Sequence, residues 1–371
     1  MTTSFKIRVL TALLLLSKVF PAISAEIYNH NGSRIDFSGK INGRHYYSEN
    51  TALDGDSSYL RFGFRGETSI NEWLTGYGQW QYQASLSQSE QQGTTNHYTR
   101  LGFAGLKMGD FGSFDFGRNY GVIYDIGAWT DVLPAFEDVP YRADDFMFQR
   151  GNGMATYRNS NFFGLADGWH FAVQYQGKND NPTESSSGRD MLAENGDGWG
   201  LSTRYDFGSG LSAGAAMFRS DRSLDQTEGY EGIIDHGNKA EAYTGGLKYD
   251  MNNVYLAATY TRSCNAIAFG SSDASLYGYA DTADTWALVA QYQFASGLRP
   301  SLAFVSSRGH IYGYGEQNLK KYVEVGANYT FNKNMSAYVD YKHNLLDDND
   351  FTYAAGINTD DVIGMGLVYQ F

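Results

Sequence analysis

The chain has 371 residues, with 28 Lys and Arg against 41 Asp and Glu and a formal net charge of −13. Aromatic side chains make up 16% and charged ones 19%, with 43 Gly and only 5 Pro. So many rings exclude a disordered chain, and the acidic balance argues against a nucleic-acid partner. No apolar run reaches the roughly 20 residues of a membrane helix, which leaves a β-rich protein.

The first residues read as an export signal. Lys6 and Arg8 form a positive start, Val9 to Leu16 is mostly apolar, and Ala22-Ile23-Ser24 supplies small residues at cleavage spacing. Residues 1–24 are therefore expected to be a signal peptide, followed by one domain over 25–371. Removing three basic residues and no acid deepens the net charge to −16. A single cysteine, Cys264, excludes an intramolecular disulfide. Its Ser/Asn/Gly-rich surroundings suggest an incidental loop thiol.

Period-two alternation dominates the rest. Leu60-Arg61-Phe62-Gly63-Phe64-Arg65 puts Leu and Phe on one face, Arg and Gly on the other. Tyr322 to Phe331 and Val362 to Phe371 repeat the pattern. Sixteen such runs begin near Ile35, Ser58, Leu74, Tyr98, Gly112, Gly151, His170, Gly198, Leu211, Lys239, Val254, Thr285, Arg299, Leu319, Ser336 and Asp361. Tight turns such as Asp250 to Asn253 and Asn332 to Asn334 alternate with long polar connections such as Lys178 to Trp199 and Cys264 to Asp284. Aromatics crowd the strand ends beside the tight turns: Tyr249, Tyr292, Phe294, Tyr329, Phe331, Tyr369 and Phe371. The pattern predicts an all-β fold, a 16-stranded antiparallel transmembrane β-barrel with aromatic girdles. Closure pairs every backbone group, so a polar sequence can cross a bilayer.

In the first strand the inward set reads Asp36, Ser38, Lys40, Asn42, Arg44 and Tyr46, with Ile35, Phe37 and Ile41 towards lipid. Arg61 and Arg100 hold inward positions on later strands. A basic side chain facing lipid near the midplane would cost roughly 2–4 kcal/mol, which favours the lumen. The stretch from Gly121 to Phe148 lacks alternation and carries Asp125, Asp131, Glu137, Asp138, Asp144 and Asp145. Loops of that length are usually functional. Gly208-Ser209-Gly210-Leu211-Ser212-Ala213 matches a dinucleotide fingerprint by letter but joins two strands. Asp347-Asp348-Asn349-Asp350 lacks the later ligands of an EF-hand, so a solvated outer loop is expected. The seven His show no metal-site spacing, and no nucleophile constellation suggests a barrel enzyme.

Several segments together resemble a known family. They are Ala25-Glu26-Ile27-Tyr28-Asn29, Leu74 to Trp80, Gly112-Ser113-Phe114-Asp115-Phe116-Gly117-Arg118-Asn119-Tyr120-Gly121, Ala155-Thr156-Tyr157-Arg158-Asn159-Ser160-Asn161-Phe162-Phe163-Gly164, and Val368-Tyr369-Gln370-Phe371. The chain is similar in these to the trimeric general-diffusion porins of Gram-negative (enterobacterial) outer membranes, of the osmoporin and phosphoporin type. The resemblance implies a homotrimer in outer-membrane lipid and lipopolysaccharide, and a third loop (121–148) folded into the lumen. It implies a passive channel for small hydrophilic solutes, without cofactor, metal or catalytic residues. It places Lys40, Arg61, Arg100 and Arg150 on a basic constriction wall and Asp131 on the facing loop. It pairs Arg118 with Glu90 across subunits, and it makes Leu367, Tyr369 and Phe371 the signal read by the barrel-assembly machinery.

The family's Pro-Glu-Phe-Gly-Gly stands here as Pro134-Ala135-Phe136-Glu137-Asp138. One acid is lost and two are gained, so Glu137 and Asp138 join Asp131 as the expected acidic side, with mild cation preference. The alternative reading is a channel specific for a sugar or an anion.

Overall fold

The computed structural model describes residues 25–371 apart from 93–95, 137–140, 181–182, 184–187, 229–232 and 235–236. The expected signal peptide, Glu137 and Asp138 thus lie outside the described residues. Sixteen long antiparallel strands close into one barrel. They are β1 (Ser33–Ser48), β2 (Tyr59–Ser69), β3 (Thr75–Ser85), β4 (Tyr98–Lys107), β5 (Ser113–Tyr120), β6 (Arg150–Asn159), β7 (Trp169–Gln176) and β8 (Gly198–Asp206). The second half comprises β9 (Leu211–Asp221), β10 (Lys239–Met251), β11 (Val254–Cys264), β12 (Thr282–Tyr292), β13 (Leu298–Ile311), β14 (Gly315–Thr330), β15 (Met335–Asn344) and β16 (Val362–Gln370). No described helix is long and apolar enough to cross a membrane, which leaves the strands to do so.

Closure is made at β1. One edge pairs with β2, Lys40 opposite Arg61, and the other with β16, Lys40 opposite Gln370. Below that point Ala25–His30 takes over the same edge, folding back on Ser33 to Phe37 through Asn31 and Gly32. Phe371 and Gly39 exchange both backbone hydrogen bonds at 2.9 Å where the two segments meet. Residues 25–39 and the C-terminal strand therefore share one seam, and among the described residues no strand edge stays unpaired along it.

The strand turns follow ordinary hairpin chemistry. Asn252 (φ 56°) and Asn253 (φ 65°) link the paired Met251 and Val254 in a two-residue turn, and Asn tolerates positive φ better than other side chains. Alternation is inverted relative to a water-soluble protein. Phe116, Leu247 and Val325 are more than half exposed on the outer face, whereas Asn42, Thr156, Gln174 and Glu324 are fully buried on the inner one. An apolar exterior and a polar interior suit a barrel whose solvent outside is hydrocarbon. Tyr292, Phe294, Tyr329, Phe331 and Tyr369 are exposed beside the short turns, as the girdle reading requires.

Strand starts fall within a few residues of those read from the sequence, with β14 the largest departure. It begins at Gly315 rather than Leu319, because a bulge opposite Ser307 and Arg308 breaks the alternation. Cys264 ends β11 instead of lying in a loop. Asn349 belongs to a helical turn, Asp350–Ala354, which it caps by accepting from the Phe351 and Thr352 amides at 3.0 Å. Among the described residues no cluster suits a metal ion.

Candidate pore constriction

The segment between β5 and β6 turns into the barrel and runs along its wall. A helical turn, Tyr124–Gly127, puts Ile126 against the inner wall at β9 and β10. There the wall is glycine: a Cβ on Gly214 would come within 2.4 Å of Ile126, and one on Gly246 within 2.7 Å. Val122, Ile123, Ile126 and Trp129 pack with Phe146, Met147 and Phe148 into a buried apolar cluster on this side. Such burial holds an irregular loop at membrane depth only because it lines protein, away from lipid.

Hydrogen bonds fix the loop at successive strands. The Val122 amide donates to Gln174 on β7 at 3.1 Å, and Ser202 on β8 donates to Asp125 at 2.5 Å. Tyr255 on β11 donates to the Trp129 carbonyl at 2.6 Å, and Tyr141 donates to Thr261 at 2.5 Å. At the far wall the Ala135 amide donates to Asp340 on β15 at 2.9 Å. Arg44 and Tyr46 on β1 both donate to the Ala135 carbonyl, at 3.0 and 2.6 Å. Ala135 is fully buried, and a Cβ on Gly364 would stand 2.8 Å from its methyl. Phe136 stacks on Tyr46 with centroids 5.4 Å apart. The position where the family pattern carries an acid is here a packed anchor.

The basic residues expected from the resemblance divide into two groups. Lys40 and Arg61 are direct neighbours across β1 and β2, and with Arg44 they surround the Tyr59 ring at 5.1–5.3 Å. The ring face attracts each cation and holds the three on one patch despite their mutual repulsion. Arg61 also donates to Gln83, at 2.6 and 3.0 Å. Arg100 and Arg150 are buried, the former donating to Gln81 at 3.0 Å and the latter lying 5.9 Å from the Tyr120 ring centre.

Asp131 accepts from Tyr124 at 2.6 Å, and Tyr124 stacks on Tyr120 at 4.5 Å, so a short aromatic bridge links the loop acid to Arg150. Burial, followed by the charge of Asp131, pushes the Tyr124 phenol far above its usual range. Arg44 was legible in the sequence as an inward residue but not as a loop anchor, since no local signal marks a contact 91 residues away.

Other loop acids are structural. Asp125 pairs with Arg158 at 2.8 Å, and Asp144 with Arg118, which is thereby engaged within its own chain. Asp145 is buried beneath the long loops, and burial pushes its carboxyl up to about 8, partly opposed by Arg142 and Arg222. At the seam, Leu367 and Tyr369 face outward beside Phe371, whose ring lies 5.5 Å from Phe37 and 6.1 Å from Tyr369.

Residues 30–371 match the family model described as Gram-negative porin. The chain is 55% identical over 375 residues to outer membrane porin C of Serratia marcescens, covering 97% of this chain and all of that one. It is 52% identical to outer membrane porin N of Escherichia coli, covering 94% and 95%. Among solved structures, Salmonella typhi OmpF in complex with daunomycin superposes with a TM-score of 0.84 at 41% identity, over 94% of this chain and 100% of that one. OmpT of Vibrio cholerae, at 15% identity and a TM-score of 0.64, shares the fold. The inverted barrel, the loop folded into its lumen and these matches lead to one conclusion: the chain belongs to the Gram-negative porin family, β-barrels of the outer membrane that serve as general-diffusion pores.

Proposed function

We propose that three copies of this chain assemble into a homotrimer in which each barrel is a passive, water-filled path for small hydrophilic solutes and ions. No catalytic role is assigned to any residue. The observation that carries this reading is the loop pinned across the lumen between the glycine-lined wall of β9 and β10 and Asp340 on β15. Such a loop narrows the barrel and sets charged side chains around the opening that remains. Such a site selects by width and field, with no chemistry to perform. Lys40, Arg61, Arg100 and Arg150 form the basic side of this eyelet, joined by Arg44, and Asp131 is its acid on the loop.

Mild cation preference rests on Glu137 and Asp138 adding to Asp131. Lipopolysaccharide and bilayer lipid are the surroundings of the outer face, and the barrel-assembly machinery reads Leu367, Tyr369 and Phe371. Swelling of liposomes holding the purified protein tests the reading. Rates should fall smoothly with sugar size and rise linearly with concentration. Saturation by one sugar or one anion would favour a solute-specific channel.

A further inference from the structure

Arg44 is fixed at its own backbone before it reaches the constriction loop. Its amide donates to Ser58 Oγ at 3.0 Å, and its carbonyl accepts from the Ser57 amide at 2.9 Å. Both serines end the long connection between β1 and β2, whose Gly55 and Asp56 pair with Tyr46 and His45. From there the side chain forks. Nη2 donates to Ser57 Oγ at 2.8 Å, and Nη1 donates to the Ala135 carbonyl at 3.0 Å. The guanidinium carbon lies 4.7 Å from the Tyr46 ring centre and 5.2 Å from that of Tyr59. One planar head thus joins an outer connection to the tip of the constriction loop, with a ring face against it from each of two strands. Arg suits this place because its donors diverge in a rigid plane that also stacks on aromatics, whereas a lysine ammonium is a compact point without the fork.

The same head belongs to the eyelet. Lys40 Nζ and the Arg61 guanidinium lie 5.3 and 5.1 Å from the Tyr59 ring centre. Arg44 leaves β1 four residues beyond Lys40, roughly 13 Å nearer the long loops, yet its charge ends beside the same ring. An ion that passes the Tyr59 patch therefore passes Arg44 as well. The acids nearby in the chain or at the loop tip are bound elsewhere: Asp56 accepts from Ser58 at 2.6 Å, and Asp340 from the Ala135 amide at 2.9 Å. Where the family pattern carries an acid, this chain has a methyl whose own carbonyl is held by a cation. The formal charge at the loop tip changes there from one negative to one positive.

We propose that Arg44 is a specificity-determining residue of this pore: a strut that fixes the constriction-loop tip against the outer connection, and a positive charge at the eyelet that offsets the loop acids. It keeps the tip still and the cation preference mild. This role rests on the channel reading above.

Three variants separate charge from position. Arg44→Met removes the charge and leaves a stem between the rings, Arg44→Lys keeps the charge without the fork, and Ser57→Ala removes only the outer foothold. Reversal potentials in a KCl gradient should give Arg44→Met a potassium-to-chloride permeability ratio about fourfold above wild type, the weight of one charge about 5 Å from a passing ion in water. Arg44→Lys and Ser57→Ala should keep the wild-type ratio. In all three the open current should be noisier, and backbone amides around Ala135 should exchange hydrogen faster in the detergent-solubilised protein. An unchanged ratio in Arg44→Met would overturn the charge role, as would an Arg44→Lys pore that prefers cations as strongly as Arg44→Met. Wild-type noise and exchange in all three would overturn the strut. If Arg44→Met yields no folded protein, Arg44→Gln supplies the neutral head. Absence of current steps in the wild type would instead overturn the channel reading, and the exchange measurement alone would then decide the strut.

Discussion

Two residues show how position, not identity, decides what a charge or a methyl does here. Ala135 stands where the family pattern has an acid, yet its methyl is buried beside Tyr46, Phe136, Tyr338 and Val362, with its amide on Asp340. Ala135→Glu should therefore not restore an eyelet carboxylate. It would force a charge into an apolar pocket beside a buried acid, at a cost of several kcal/mol, and the loop tip should detach. Conductance should rise with noisier open current; a quiet channel with merely stronger cation preference would show that the side chain reaches the lumen.

On the function proposed above, selectivity instead depends on Glu137 and Asp138. An extra charge about 5 Å from a passing ion is worth roughly 0.8 kcal/mol in water, a factor near four in local concentration, limited by screening over about 8–10 Å. The Glu137→Gln/Asp138→Asn variant should shift the reversal potential in a KCl gradient towards anions. No shift there, with a shift in Asp131→Asn, would mean that both acids point away from the path.

Asp145 adds a pH dependence. Its folded-state carboxyl is raised to about 8, facing Arg142, Arg222, Asp144 and Tyr279, so the folded state binds a proton that the unfolded chain releases near 4. Stability from this group is full below about 4 and is lost as pH rises towards 8. Thermal dissociation of the trimer should be easier at pH 8 than at pH 5, and Asp145→Asn should flatten that difference. A wild-type difference of the opposite sign would contradict the assignment.

At the level of elements, the loop's seat is built into the strands that receive it. Gly214 and Gly246 leave space for Ile126 and Trp129. Gly246→Val should overpack that seat by about 1–3 kcal/mol and displace the loop. The single-channel conductance should change while barrel strand content, read by circular dichroism, stays the same.

How much of this was legible in the sequence follows the same division. Strands announced themselves because lipid outside and water inside enforce strict alternation, and all sixteen long strands were read near their observed starts. The largest departure, β14, falls where a bulge makes Leu319 and Lys320 share a face. The constriction loop was visible as a break in alternation, and its basic wall came from family resemblance. Its anchors were not visible, since Arg44, Asp340 and Gly364 meet Ala135 only through closure of the barrel.

For the whole molecule, the seam at β1 is where residues 25–39 and the C-terminal strand meet. Deleting Phe371 removes the backbone exchange with Gly39 and the ring contact with Phe37. Exported but unassembled chain should accumulate, with little folded trimer on unheated gels; normal trimer yield would exclude Phe371 as the assembly signal.

The central claim is that an inverted barrel with a loop pinned across its lumen is an open aqueous path. Single-channel recording of the purified protein in a planar bilayer tests it most directly. The expected record is stepwise current, linear in voltage at low potential, proportional to salt concentration without saturation, and closing in three equal sublevels from each insertion. Folded protein that inserts and yet passes no current, or whose conductance saturates with salt, would contradict it.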